Sequence, residues 1–297
     1  MKKLLLISTI LLAETLMVNA QSENPSLADK SNPEVNSCII GGVVLQQQNV
    51  KCYGGTTGTA VIFASSFGST GPYTFTWSPT VTNYALDSID GALNLAAGTY
   101  TVSITNNHGC LAGTVHVTIT QPPKLTLTTS SSTNEICNGG NNGSATVIAG
   151  GGVPSYSYSW TPTVSTTTSA SNLTAGNYFI TVTDSNKCTT TNTVIITQPV
   201  AITTSATVGS SSCNSSNGSV GVTASNGVTP YSYLWTPGGN TTDSISGVSV
   251  GSYTCTVTDA HGCKVNTTEI VTDSTTLSAS LVNSVNEKCF GDNNGSA

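Results

Sequence analysis

Three landmarks recur in step along this 297-residue chain, and they constrain its folding more than any other feature. One cysteine series is Cys52, Cys137, Cys213 and Cys289, a second is Cys110, Cys188 and Cys263, and a tryptophan series is Trp77, Trp160 and Trp235. Neighbours within each series lie 75 to 85 residues apart, so the chain reads as a string of small units rather than one large domain. The spacing predicts repeat 1 over 37–122, repeat 2 over 123–199, repeat 3 over 200–274, and the start of a truncated fourth repeat over 275–297.

Inside a unit the order of segments is constant. After the first cysteine comes a turn such as Asn138 to Gly143, then a strand whose one face carries Ala60, Ile62 and Ala64, or Ala145, Val147 and Ala149, or Val220, Val222 and Ala224. Alternation with period two is the mark of a strand with one buried face. An aromatic strand follows, with Tyr73, Phe75 and Trp77, then Tyr156, Tyr158 and Trp160, then Tyr231, Tyr233 and Trp235, each closed by a proline two residues on. A Leu-x-x-Gly-x-Tyr segment or its counterpart delivers Tyr100, Tyr178 or Tyr253 at the head of a late strand. A turn then brings the second cysteine, and the last strand runs to Gln121-Pro122 or Gln198-Pro199.

Short strands with a single apolar face must pack as two sheets. The prediction is an all-β chain of tandem immunoglobulin-like β-sandwich repeats, three complete and a truncated fourth. Trp77, Trp160, Trp235, Tyr100, Tyr178 and Tyr253 are expected in the core, since a central-strand Trp and a Tyr corner suit that sandwich. Ser, Thr, Asn, Gly and Val dominate the composition, which favours strands and tight turns over helices.

A unit of this size buries little, which makes cross-links valuable. Disulfides are expected within repeats, Cys52 to Cys110, Cys137 to Cys188 and Cys213 to Cys263. Each would stabilise by roughly 4 kcal/mol in the chain-entropy account of a ~50-residue loop. Cys255 stands where the other units have Val102 and Ile180 and reads as a buried apolar thiol. Cys289 is left unpaired by the end of the chain, and Cys38 has no assigned partner.

Lys2 and Lys3 precede the apolar run Leu4 to Ala13, and Val18-Asn19-Ala20 follows. That order predicts a signal peptide over 1–20 and a linker over 21–36. The apolar run falls short of the ~20 residues that span a bilayer, so no transmembrane segment is expected in the mature chain. Export is thus expected, to the extracellular space or the cell surface, where disulfides persist.

The run Cys137 to Ser144, the strand Tyr156-Ser157-Tyr158-Ser159-Trp160, the corner Leu173 to Tyr178 and the ending from Cys188 to Gln198-Pro199 closely resemble the SprB-type repeat, which fills cell-surface adhesins of gliding Bacteroidetes. The resemblance covers roughly residues 43–297 and implies a surface protein, carried across the outer membrane by the type IX system and contributing to adhesion or gliding motility. Two departures are visible: the first unit is longer, and the third ends in Thr272-Asp273-Ser274 without Gln-Pro.

Chemistry is scarce in this chain. Only 7% of residues are charged, arginine is absent, and the 14 acids and eight lysines are scattered, which excludes the clustered cations a nucleic-acid binder needs. His108 and His261 occupy a turn position that is Asn186 in the second unit, and Asp184 and Asp259 follow the late strand in the same turn. These read as turn residues, so no catalytic residue, no cofactor and no metal ligand is assigned. The oxygen-rich opening turns could serve calcium, but they hold at most one carboxylate and Asn-Gly makes a hairpin turn unaided. The functional expectation is a non-enzymatic adhesin stalk whose unknown surface ligand, a polysaccharide or a protein, meets the variable loops between the Trp strand and the Tyr corner. The alternative is a set of passive spacer repeats in a larger exported protein whose active domain lies beyond residue 297.

Overall fold

The computed structural model describes residues 40–66, 72–106, 111–212, 215–274 and 284. The predicted signal peptide and linker, the start of repeat 4 apart from residue 284, and Cys38, Cys110, Cys213 and Cys289 lie outside these residues. Every element among those described is a β-strand, and all six sheets are antiparallel ladders of three or four strands.

Repeat 1 contributes β1 (Ile40–Gln48), β2 (Gly58–Ser66), β3 (Tyr73–Ser78), β4 (Asn83–Leu86), β5 (Ile89–Leu95), β6 (Gly98–Asn106) and β7 (Leu111–Ile119). They form two sheets, ordered β1-β2-β5-β4 and β3-β6-β7. Repeat 2 contributes β8 (Thr126–Thr133), β9 (Gly143–Gly150), β10 (Ser157–Thr161), β11 (Ser169–Leu173), β12 (Gly176–Thr183) and β13 (Thr189–Ile196), ordered β11-β9-β8 and β10-β12-β13. Repeat 3 has β14 (Thr203–Gly209), β15 (Gly218–Ser225), β16 (Ser232–Thr236), β17 (Ser244–Val248), β18 (Gly251–Thr258) and β19 (Lys264–Val271), ordered β14-β15-β17 and β16-β18-β19. Two facing sheets per repeat make an immunoglobulin-like sandwich, and repeat 1 carries an extra strand, β4, between its Trp strand and its Tyr corner.

By mutual contact the chain divides into two compact units. One is Met1–Ser131, Ala145–Ala170 and Tyr178–Val194, and the other is Ser132–Ser144, Ser171–Asn177 and Ile195–Ala297.

In the first unit, Ala60, Ile62 and Ala64 of β2 face Phe75, Trp77, Val102, Ile104 and Val117, all buried, in one core. Across the ladder, Trp77 stands opposite Val102 and Phe75 opposite Ile104. The Trp77 and Tyr100 rings meet edge to face with centroids 6.3 Å apart, a favoured aromatic geometry. Trp160 pairs with Ile180 and Tyr158 with Val182 in the same register.

The second unit repeats the scheme in Val220, Val222, Trp235, Ile245, Val257 and Val271. Here Trp235 stands opposite Cys255, a free and fully buried thiol in the slot of Val102 and Ile180. Tyr253 is only half-buried, whereas Tyr100 and Tyr178 are buried. The corner hydroxyls donate to a carbonyl four residues upstream, Tyr100 to Ala96 O at 3.1 Å and Tyr253 to Ser249 O at 3.0 Å.

The intra-repeat disulfides expected from the sequence are not formed. Cys52 is bonded to Cys188, and Cys137 to Cys263, with Cα atoms 5.7 and 5.4 Å apart. These bonds also exclude Cys52 to Cys110, Cys137 to Cys188 and Cys213 to Cys263. The reason is strand length. In repeat 1 the turn carrying Cys52 is fastened where β7 ends, through Val50 N–H to Thr120 O at 2.9 Å and Gly54 N–H to Gln121 Oε1 at 2.6 Å. In repeat 2 the turn carrying Cys137 is likewise fastened past the end of β13, through Gly139 N–H to Gln198 Oε1 at 2.7 Å, while Cys188 immediately precedes the start of that strand, whose eight residues rise about 24 Å. In repeat 3 the strand-opening Gly218 packs on Val271 at the end of β19, while Cys263 precedes the start of that strand. A disulfide tolerates only about 4.4–6.8 Å between Cα atoms, so Cys137 and Cys188, the two cysteines of one sandwich, cannot meet.

Candidate functional site: the disulfide-bridged repeat junctions

Each disulfide joins the opening turn of one repeat to the late hairpin of the next, and both parts are built by local hydrogen bonding. The opening turn closes on itself: Gly55 N–H donates to Cys52 O at 3.0 Å, and Gly140 N–H to Cys137 O at 3.2 Å. Its next anchor is the glutamine of the Gln-Pro ending. Gln121 Oε1 accepts from Gly54 N–H, and Gln198 Oε1 accepts from Gly139 N–H at 2.7 Å. In the sequence Gln-Pro reads only as the place where a ladder stops, and nothing there signals that the glutamine also caps the turn.

Glu135 adds a second anchor in repeat 2. Its buried carboxylate accepts from the backbone N–H of Asn142 at 3.1 Å and of Gly143 at 3.2 Å, while Asn142 Oδ1 accepts from Ile136 N–H. In this turn the carboxylate of Glu135 and the Oδ1 of Asn142 are engaged by the chain's own donors. Among the described residues no three His, Cys, Asp or Glu side chains come together to hold a metal ion.

The hairpin that presents the second cysteine is organised by an aspartate. Asp184 accepts from Val153 N–H through Oδ2 and from Cys188 N–H through Oδ1, both at 2.9 Å. Asp259 does the same in repeat 3 with Val228 at 3.1 Å, and with His261 and Cys263 at 2.9 Å. One carboxylate thus ties the cysteine's backbone to the loop behind the second strand of its own repeat. Burial opposes the ionisation of both groups, but the converging backbone donors outweigh it, with the His261 charge helping at Asp259. Both carboxyls are held below the ordinary aspartate value.

The hairpin then docks. Asn186 Nδ2 donates to Lys51 O at 2.8 Å, beside the Cys52–Cys188 bond. Beside the Cys137–Cys263 bond, Asn138 Nδ2 donates to Pro199 O at 3.0 Å. A cavity of about 410 Å³ opens there, lined by Cys137, Asn138, Pro199, Ile202, Asp259 and Lys264 among others. The amide of Asn138 and the carboxylate of Asp259 are already engaged by the chain's own backbone.

The aromatic residues serve the core. Trp160 Nε1–H donates to Thr167 O and Trp235 Nε1–H to Thr242 O, each at 2.9 Å. In repeat 1 the indole of Trp77 instead donates to the buried carboxylate of Asp90 at 2.6 Å, which also accepts from Asn83 Nδ2 at 2.8 Å. Among the described residues Asp90 Oδ1 has no hydrogen-bond partner. Nothing in the period-two pattern marks Asp90, because a single acid within an apolar strand looks like a residue of the outer face.

Three stretches, residues 44–82, 129–165 and 205–240, match the SprB repeat family. No curated protein matches the chain. Among solved structures it is similar to the C-terminal 282-residue fragment of intimin, solved with the intimin-binding domain of the translocated intimin receptor, at 13% identity over 55% of this chain and 66% of that one, TM-score 0.31. It is similar to three N-terminal domains of the bacteriophage RB49 outer capsid protein Hoc, at 12% identity over 80% and 98%, TM-score 0.32. It also resembles the N-terminal eight Ig domains of Down Syndrome Cell Adhesion Molecule, at 11% identity over 80% and 45%, TM-score 0.35. The chain spans less than two thirds of the intimin fragment and under half of the eight-domain fragment. These structural likenesses are loose, and the fold stands on the paired sheets themselves. The Cys turn and the Trp strand of each of the three sandwiches fall within these stretches, so the chain carries three copies of a segment that matches the SprB repeat.

Proposed function

We propose that this chain is a non-enzymatic, exported cell-surface repeat protein that serves as an adhesin stalk, contributing to adhesion or gliding. The observation that carries the reading is the junction: successive repeats are joined by a disulfide as well as by the chain. Such bonds persist in oxidising compartments outside the cytosol. The residues that organise the junction serve structure, and the aspartates there hold backbone donors rather than a substrate. Ligand contact, to a polysaccharide or a protein, falls to the segments between the Trp strand and the Tyr corner, where Tyr84 and Leu86 of β4 and Val164 of the loop before β11 are exposed.

Burial of the aromatic stripe favours a second reading, a passive spacer, since Trp77, Trp160 and Trp235 offer no ring to a sugar face. Beads coated with the chain and brought to polysaccharide-coated and protein-coated surfaces separate the two. Attachment that is lost when the exposed Tyr84, Leu86 and Val164 are replaced by serine, with the fold retained, supports the adhesin. Bare-bead levels of attachment on every surface favour the spacer.

A further inference from the structure

The two disulfides overlap along the chain. Cys52 reaches forward to Cys188, and Cys137, which lies between them in sequence, reaches forward to Cys263. We infer that the interlaced bonds form a covalent load path that bypasses the links between repeats and limits how far the chain extends under tension.

Tension applied across residues 52 and 263 follows the shortest covalent route. That route crosses the first bond from Cys52 to Cys188, runs back along repeat 2 to Cys137, and crosses the second bond to Cys263. It contains roughly 50 residues of chain, which draw out to about 170 Å, whereas the roughly 210 residues of main chain between the same cysteines reach about 700 Å. The chain from 53 to 136 and from 189 to 262 is off the route. Repeats 1 and 3 therefore lose their fold without adding length, and only the segment of repeat 2 between its own cysteines extends. Links 121–124 and 198–201 carry no load while the bonds stand. Unlinked sandwiches in a row behave otherwise, because each one that unfolds lengthens the tether by its whole chain.

The route depends on pairing order and not on any ligand, so its test is independent of the adhesion reading. The first readout uses the unaltered chain, held by handles at its two ends and stretched singly. The oxidised chain is expected to release at least roughly 160 residues less than the chain in dithiothreitol, about 540 Å of contour length. Equal lengths would overturn the inference; because bonds within each repeat would shorten the tether by nearly the same amount, the second readout decides the pairing order. The second readout uses a chain with a specific protease site placed at 122–124. After cutting, the oxidised tether is expected to survive stretching and to run as one band on a denaturing, non-reducing gel, and to part on reduction. The same cut chain carrying Cys188→Ser is expected to part without reductant. Parting of the cut, oxidised, unsubstituted chain would show that tension runs through the link, as intra-repeat disulfides would require.

Discussion

At the scale of single residues, the aspartates of the cysteine hairpins have the most specific role. Asp184 and Asp259 are buried and each accepts several backbone N–H bonds, including one from the adjacent cysteine. Burial raises the cost of their charge, yet the donors prevail and both carboxyls titrate below the ordinary range. A carboxyl with a depressed folded-state pKa contributes stability that is present above the unfolded value, about 3.9, and is lost as pH falls through the folded value. Asp184→Asn and Asp259→Asn are therefore expected to lower the urea midpoint at pH 7, with the gap to the parent closing as pH drops below about 4. A gap that stays constant from about pH 7 to about pH 2.5 would show that the charge contributes nothing. Cys255 is the counterexample among single residues. Burial pushes its thiol up, it forms no disulfide, and it acts as an apolar side chain opposite Trp235.

At the scale of elements, the glycine that opens the second strand of each repeat decides how closely the two sheets approach. A Cβ on Gly58, Gly143 or Gly218 would come within 2.7, 2.7 or 2.9 Å of a backbone carbonyl, that of Leu95, Leu173 or Val248. It would also press on Ile119, Ile196 or Val271 at 2.7, 2.8 or 2.7 Å. The carbonyl belongs to the segment that leads into the Tyr corner, so it cannot retreat without moving that strand. Gly143→Ala and Gly218→Ala are expected to destabilise by about 1–3 kcal/mol, the usual range for overpacking. Gly139→Ala, at a φ of 72° with nothing near its Cβ position, tests strain alone and should cost about 1 kcal/mol. Equal small losses at all three positions, read by urea denaturation, would contradict the packing account. The Asn-Gly pair that reads as a hairpin turn in the sequence therefore acts differently in the fold, where its asparagine caps the turn and its glycine admits a neighbouring strand.

At the scale of the whole molecule, stability and cross-linking are tied together. The loops closed by the two bonds have sequence separations of 136 and 126 residues, much longer than those within one repeat. In the chain-entropy account one loop of that length stabilises by about 5 kcal/mol, and because the loops overlap the two do not add. Reduction is therefore expected to lower the thermal midpoints of repeats 1, 2 and 3 together, since each repeat lies largely within a closed loop. Cys52→Ser is expected to lower that of repeats 1 and 2 and spare repeat 3. Melting followed by hydrogen exchange resolved along the chain distinguishes this from intra-repeat bonds, for which Cys52→Ser would affect repeat 1 alone.

Much of this protein is legible in its sequence. Period-two alternation in Ala60, Ile62 and Ala64 and the aromatic i, i+2 pattern ending at Trp77 mark strands and their buried faces, because a strand's side chains alternate whatever surrounds them. The recurrence of Cys, Trp and Tyr at one interval marks the repeat, and the corner Leu-x-x-Gly-x-Tyr marks the sandwich. Pairing between cysteines cannot be read the same way. Proximity in sequence suggests Cys137 with Cys188, but the length of a strand holds the cysteines of one sandwich apart, and only the docking of one repeat's hairpin beside the turn of the preceding one brings Cys188 to Cys52 and Cys263 to Cys137. The partners of Trp77, Trp160 and Trp235 are hidden for the same reason. A local pattern reports which way a side chain points, whereas its partner is set by where the rest of the chain returns.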